Sequence, residues 1–183
     1  AFGDKVWQRL IDKGYKTKLT NPTDWQIFAD EDTKVEFANS AVTVNVPFST
    51  SYKSVFKYDT SKGKYLRYFK TTERKDYFTG ESSYFKNVFV LVTNISSYSD
   101  GYHKKIDLTS GDGYYCVNGT YTLIKWSKGS SSSGLKFTTV DGKPLEVSQG
   151  NSWVCFHSKK YTPKFEGAPK VEINTSAVTS AKN

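Results

Sequence analysis

The feature that most constrains this chain is the stretch GDGYYCVNGTYTLIKWSK at residues 111–128. It reads as two strands joined by Asn118-Gly119, the dipeptide that best suits a two-residue hairpin because both central residues need positive φ. A strand pair of this kind cannot stand alone. It must bury one face against further strands, which commits the chain to a β architecture. The stretch also holds one of only two cysteines, one of four tryptophans and a glycine pair at its start.

The rest of the chain supports that commitment. Val42, Val44 and Val46 alternate with Thr43 and Asn45 before Pro47, the period of a half-buried strand. Residues 53–58 and 65–69 flank a DTSKGK loop and form another hairpin. Residues 88–95 are almost continuously apolar, as a central strand covered on both faces would be. A tight hairpin spans residues 137–147 with its turn at Asp141-Gly142, and Pro144 marks its return limb as an edge. A last strand over residues 152–157 places Trp153, Cys155 and His157 on one face, with Val154 and Phe156 on the other.

One helix is expected, over residues 4–13, with Val6, Leu10 and Ile11 on one face, Asp4 as its N-cap and Gly14 at its C-terminal end. A turn follows at residues 21–24, then a short apolar piece at 25–28 and an acidic loop at 30–32. The fold class is therefore mainly β, an antiparallel sandwich or partly open barrel of about eight short strands with one N-terminal helix. The predicted organisation is a helical lead-in at 1–34, which could be the end of a preceding domain, an all-β domain at 35–165 and a mobile tail at 166–183. An added edge strand is the lesser alternative for the tail.

The formal net charge of +8 invites a nucleic-acid or anionic-surface reading. The lysines are dispersed, however, and the longest clusters are the pairs 104–105 and 159–160. Dispersed lysine reads first as solvation and edge protection. No apolar run reaches the roughly 18 residues of a membrane span. The chain has no methionine and no signal-peptide pattern, which reads as a mature or trimmed form. Cys116 and Cys155 admit one pairing, a bridge between neighbouring strands, and the alternative is two buried thiols.

Catalytic and metal signatures are missing: no paired Cys-x-x-Cys, no His-Glu-x-x-His, no phosphate-binding loop before a helix. Gly111-Asp112-Gly113 opens like a dinucleotide loop but is followed by a strand. Asp30 and Asp32 lack the rest of a calcium loop. Cys155 and His157 share a strand face at about 6 to 7 Å, too far for proton transfer. The sequence implies no cofactor and no metal. The 13 Tyr, 12 Phe and 4 Trp residues read mainly as core, with a stacking surface for sugars or bases as the other use.

Several stretches together resemble a known family. Residues 58–67 resemble its YD…GxYxR hairpin, and Asp76 with Asn87-Val88 resembles its D…NV segment. Residues 111–128 resemble its GxGYY…NG…IxWxK block, and residues 141–145 with 150–154 resemble its closing DGxxL…PGxTWI run, with Gln149 in place of the usual proline. The family is that of the YerB-type bacterial lipoproteins, a domain of unknown function, and the resemblance is to its C-terminal domain over about residues 35–157.

The resemblance implies an extracytoplasmic address, with the full-length protein held on the outer face of a Gram-positive cytoplasmic membrane by a lipid anchor that this chain lacks. There a Cys116–Cys155 bridge is permitted, and positive charge suits the anionic wall. The expected function is a non-enzymatic binding or interaction module for a protein or a cell-envelope component. The alternatives are a polymer-processing enzyme using carboxylates, drawn from Asp59, Asp76 and Asp112, and, last, a nucleic-acid binder. The residues expected to border a common cleft are Arg67, Asp76, Asp112 and Trp126.

Overall fold

The apolar run NVFVLVT becomes the strand on which both cores are built. A computed structural model describes residues 3–15, 27–130 and 132–167. A helix α1 (Gly3–Asp12) precedes the short strands β1 (Ile27–Phe28), β2 (Asn39–Ser40) and β3 (Thr43–Pro47). Then come β4 (Lys53–Asp59), β5 (Lys64–Phe69), β6 (Thr72–Glu73), β7 (Tyr84–Phe85) and β8 (Asn87–Thr93). The second half supplies β9 (Ile95–Ser97), β10 (Lys104–Ile106), β11 (Ser110–Val117) and β12 (Thr120–Ser127). It ends with β13 (Lys136–Thr139), β14 (Glu146–Val147), β15 (Ser152–Ser158) and β16 (Lys164–Glu166).

Two six-stranded sheets carry the fold, one in the order β13-β12-β11-β8-β15 with β2 on β12, the other β16-β3-β4-β5-β6 with β7 on β5. They pack face to face as a sandwich and not as a barrel. Between them lie Val44, Val46, Phe56 and Tyr65 of the second sheet against Val88, Val90, Cys116 and Cys155 of the first. The first sheet is covered on its other face too. There Phe89, Leu91, Tyr115, Val117, Ile124 and Trp126 meet Phe137, Leu145 and Val147. The period of two along β8 does the sorting: Val88 and Val90 enter one core while Phe89 and Leu91 enter the other.

The glycine pair of residues 111–113 is explained by this packing. A Cβ on Gly111 would stand 2.4 Å from the Val92 carbonyl oxygen and 2.9 Å from the Trp126 indole nitrogen. Trp126 is 2% exposed and its Nε1 donates to the Asp112 carbonyl at 3.1 Å. Gly111 makes room for a tryptophan seated across the strand pair, while a Cβ on Gly113 would stand 2.9 Å from the Val90 carbonyl oxygen.

Several expectations need correction. The sheet is not wholly antiparallel: β15 runs parallel to β8, from Ser152 beside Asn87 to Ser158 beside Thr93, and β1 runs parallel to β14. An alternating apolar pattern reads the same in either direction, so the sequence carried no signal for this. The hairpin at Asp141-Gly142 forms, with Thr139 N–H donating to Lys143 O at 2.8 Å and Leu145 N–H to Phe137 O at 3.1 Å, and only its last two residues, β14, turn away to pair with β1. The helix begins at Gly3, so Asp4 lies in its first turn. Its C-terminus closes as foreseen, with Gly14 at φ 70° and Tyr15 N–H donating to Leu10 O. The predicted all-β domain closes with β16 (Lys164–Glu166), which pairs with β3. The predicted turn at 21–24 and most of the tail lie outside the described residues.

Cys116 and Cys155 sit on β11 and β15, which flank β8 and do not adjoin each other. Cys116 is opposite Val88 and Cys155 opposite Val90. Two strand spacings of about 4.8 Å separate their backbones by over 9 Å, beyond the roughly 7 Å that a disulfide spans. Both thiols are buried and unbridged, and burial pushes both above the usual range. Titration of the denatured chain without reductant is expected to count two thiols. A count of zero would contradict the strand order.

Candidate functional site

The four residues expected at a common cleft do not share one. Arg67 is on β5, with its guanidinium 5.4 Å from the Trp153 ring centroid and Nη2 donating to Ser54 Oγ at 3.5 Å. Asp76 sits in the segment between β6 and β7, where Oδ1 accepts the Phe78 and Thr79 N–H groups. Asp112 and Trp126 do meet, at a groove of about 330 Å3 on the other sheet that Lys125 and Lys136 also border. Lys125 donates to Asp112 at 3.2 Å. Asp59 caps its own turn, accepting from Ser61 and Lys62, and its Oδ2 accepts the Tyr84 hydroxyl.

These carboxylates therefore do not converge on one reacting centre. Hydrogen bonds hold Asp59 and Asp76 below the usual range, from the Ser61 hydroxyl first at Asp59 and the Thr79 N–H first at Asp76. A general acid needs the opposite shift. His157 is fully enclosed, and burial pushes its imidazole below its ordinary value. With the Cys155 thiol pushed up, a thiolate–imidazolium pair has no support.

A different set of residues does converge. The β4–β5 turn supplies Lys62, Gly63 and Lys64, the residue before β8 is Lys86, and the β11–β12 turn brings Asn118. With Lys34 and Gln149 they line an open pocket of about 610 Å3. Glu31 and Asp32 line it as well, and Lys34 is ion-paired with Glu36. The Lys86 ammonium donates to Asn118 Oδ1 at 2.8 Å and to the Gly63 carbonyl at 3.3 Å. Burial, then the neighbouring charges of Lys64 and Lys34, push its pKa below the usual range. An ammonium has three N–H donors, so one remains for the pocket.

Asn118 is what builds this site. It takes φ 50° and Gly119 takes φ 76°, as the two-residue turn requires. Its Nδ2 donates to the Val35 carbonyl at 3.0 Å, while Oδ1 accepts from Lys86 and, at 3.5 Å, from the Tyr58 hydroxyl. Beneath lies a buried network. Tyr115 Oη donates to Asn87 Oδ1 at 2.8 Å and accepts Ser148 N–H at 2.9 Å, and Asn87 Nδ2 donates to Ser148 O at 2.9 Å. That network fixes the loop carrying Gln149 and Gly150. Gly150 has φ 132°, and a Cβ there would stand 2.7 Å from Lys86 Cβ.

Sequence reasoning missed the pocket because its lysines are far apart in the chain and look dispersed. The available signal was that all but Lys34 lie in or beside a motif quoted above: Lys62 and Lys64 in the first hairpin, Lys86 before Asn87-Val88, Asn118-Gly119 in the central block and Gln149-Gly150 in the last.

The fold is thus a two-sheet β sandwich with a second covered face and an open, lysine-lined pocket at its turns. Residues 44–154, more than half of the chain, match the profile described as protein of unknown function (DUF3048) C-terminal domain, and the chain belongs to that family. It is also similar to the crystal structure of YerB from Bacillus subtilis, with TM-score 0.63 and 24% identity. That likeness covers 84% of this chain and 50% of YerB, so the chain spans about half the length of that relative. At this identity it speaks for the fold alone. A search of the curated proteins gave no match.

Asn118→Gly keeps the positive φ and removes only the side-chain hub. It is expected to lower stability by about 1–3 kcal/mol, because Lys86 and the Val35 carbonyl lose a partner. Urea unfolding measures this, and an unchanged midpoint would contradict the hub.

Proposed function

We propose that this domain is a non-enzymatic, extracytoplasmic binding module that takes anionic groups of a cell-envelope polymer in the lysine-lined pocket. One observation carries the reading. The Lys86 ammonium is fixed on Asn118 and Gly63 while Lys62 and Lys64 line the same pocket. Like charges held together raise the free energy of the empty pocket, and a phosphate or carboxylate group relieves it. The ammoniums act as point charges on short, flexible reaches, which suits a repeating polyanion better than one exactly shaped small molecule. What supports the extracytoplasmic part of this reading is the resemblance to YerB-type lipoproteins.

The carboxylate-enzyme reading has no converging geometry behind it. Nucleic acid presents the same phosphate chemistry and is the competitor that an experiment must separate.

Calorimetric titration with poly(glycerol phosphate) provides the test. Binding is expected to weaken by roughly tenfold or more between about 50 and 200 mM salt, as phosphate contacts dictate. The Lys62→Gln, Lys64→Gln, Lys86→Gln variant is expected to lose roughly tenfold or more of the remaining affinity. Affinity is also expected to fall as pH rises through the lowered Lys86 pKa, because the bound anion favours the charged ammonium. No binding, full retention by the triple variant, or tighter binding to a single-stranded oligonucleotide of equal charge would overturn the reading.

A further inference from the structure

A second surface owes nothing to the lysine pocket. Between β6 and β7 the chain runs out as a narrow β-arm, closed by a bridge between Lys75 and Ser82. Asp76 N–H donates to Glu81 O at 2.8 Å and Ser83 N–H to Arg74 O at 2.9 Å. The base is tied to β5, since Arg67 N–H donates to Ser83 O and Arg74 N–H to Arg67 O. At the apex stand Tyr77 and Phe78, 91% and 92% exposed. They are the most exposed large apolar side chains among the described residues. Their ring centroids are 5.2 Å apart, edge to face.

The apex is built to hold this pair out. Asp76 Oδ1 accepts Phe78 N–H at 3.0 Å and Thr79 N–H at 2.9 Å, and its carbonyl accepts Gly80 N–H at 3.0 Å. Thr79 Oγ1 accepts Glu81 N–H at 3.2 Å, and Gly80 sits at φ 71°. Two aromatic rings in water are unfavourable, and here a locked turn fixes them there. This is preorganisation for contact with something apolar.

We propose that this arm is a lipid-docking finger, seating the Tyr77 and Phe78 rings at the interface of a bilayer. Three features favour lipid over a protein pocket. The rings are amphipathic or apolar aromatics on a convex tip, and such rings settle at the headgroup level. A soft phase accepts a convex tip without a matching cavity. Finally, the N–H groups of Phe78, Thr79, Gly80 and Glu81 all donate within the arm, so the turn enters a drier layer with few unsatisfied donors.

The charges of the arm set its depth and its salt response. Lys70, Arg74 and Lys75 are balanced by Glu73, Asp76 and Glu81, so attachment rests on the rings and not on charge. The Asp76 carboxylate stays among the headgroups and limits the finger to the interface.

Flotation with phosphatidylcholine vesicles tests the proposal. The wild-type chain is expected to float with the vesicles, and a rise in salt from about 0.1 to 0.5 M is expected to change the bound fraction less than twofold. The Tyr77→Ser, Phe78→Ser variant is expected to lose about tenfold or more in partitioning. Its urea midpoint is expected to match wild type, because neither ring packs on the domain. Lys86→Gln is expected to float like wild type, which separates this finger from the anion pocket. No flotation of wild type, equal flotation of the ring variant, or flotation abolished by salt would overturn it. A ring-dependent dimer in sedimentation without vesicle binding would overturn it in favour of a protein partner.

Discussion

The hydrogen bond from the Lys86 ammonium to Asn118 Oδ1, at 2.8 Å, is the contact on which the proposed anion site depends. It joins the turn of the central hairpin to the residue that enters the central strand. Both ends are fixed for reasons that begin in the backbone. Asn118 occupies a left-handed position that a two-residue turn demands, and its side chain is then free to bond sideways. Lys86 enters β8 with its N–H bonded to the Asn151 carbonyl, at the glycine that alone fits beside it. A partly buried ammonium needs oxygen partners, and this arrangement supplies two.

The surroundings hold that contact in place from below. The Asn87–Tyr115–Ser148 network is enclosed and fully paired through its named groups, so it fixes the loop above it without a buried polar penalty. The two cores on either face of β8 leave that strand little freedom. Function-bearing groups then sit on turns at one rim of a rigid sandwich, the usual division between scaffold and site.

The strands were legible where a period of two or an Asn-Gly turn fixed them: β4, β5, β8, β11 and β12 fall close to where the residues indicate. Direction was not legible, because Ser152–Ser158 alternates in the same way whether it runs with β8 or against it. The choice between a Cys116–Cys155 bridge and two buried thiols stayed open for the same reason, since strand order decides which cysteines adjoin and no local pattern encodes order. Of the four residues expected at one cleft, Asp112 and Trp126 lie together because they belong to one hairpin, where register is local. Arg67 lies on the other sheet and Asp76 on the arm between its strands β6 and β7, and joining them to that pair required tertiary knowledge. The lysine pocket was hidden because residues 34, 62, 64, 86 and 118 meet only after both sheets have formed.

The central claim is that the turns carrying the family motifs converge to make one anion site. Amide and side-chain NMR shifts during titration with inorganic phosphate test it most directly. Concerted, saturable shifts at Gly63, Lys64, Lys86, the Asn118 side-chain amide and Gln149, with Asp112 and Trp126 unmoved, are the predicted result. Small unsaturated shifts scattered over lysines on every face, or saturable shifts centred on the Asp112–Trp126 groove, would contradict it.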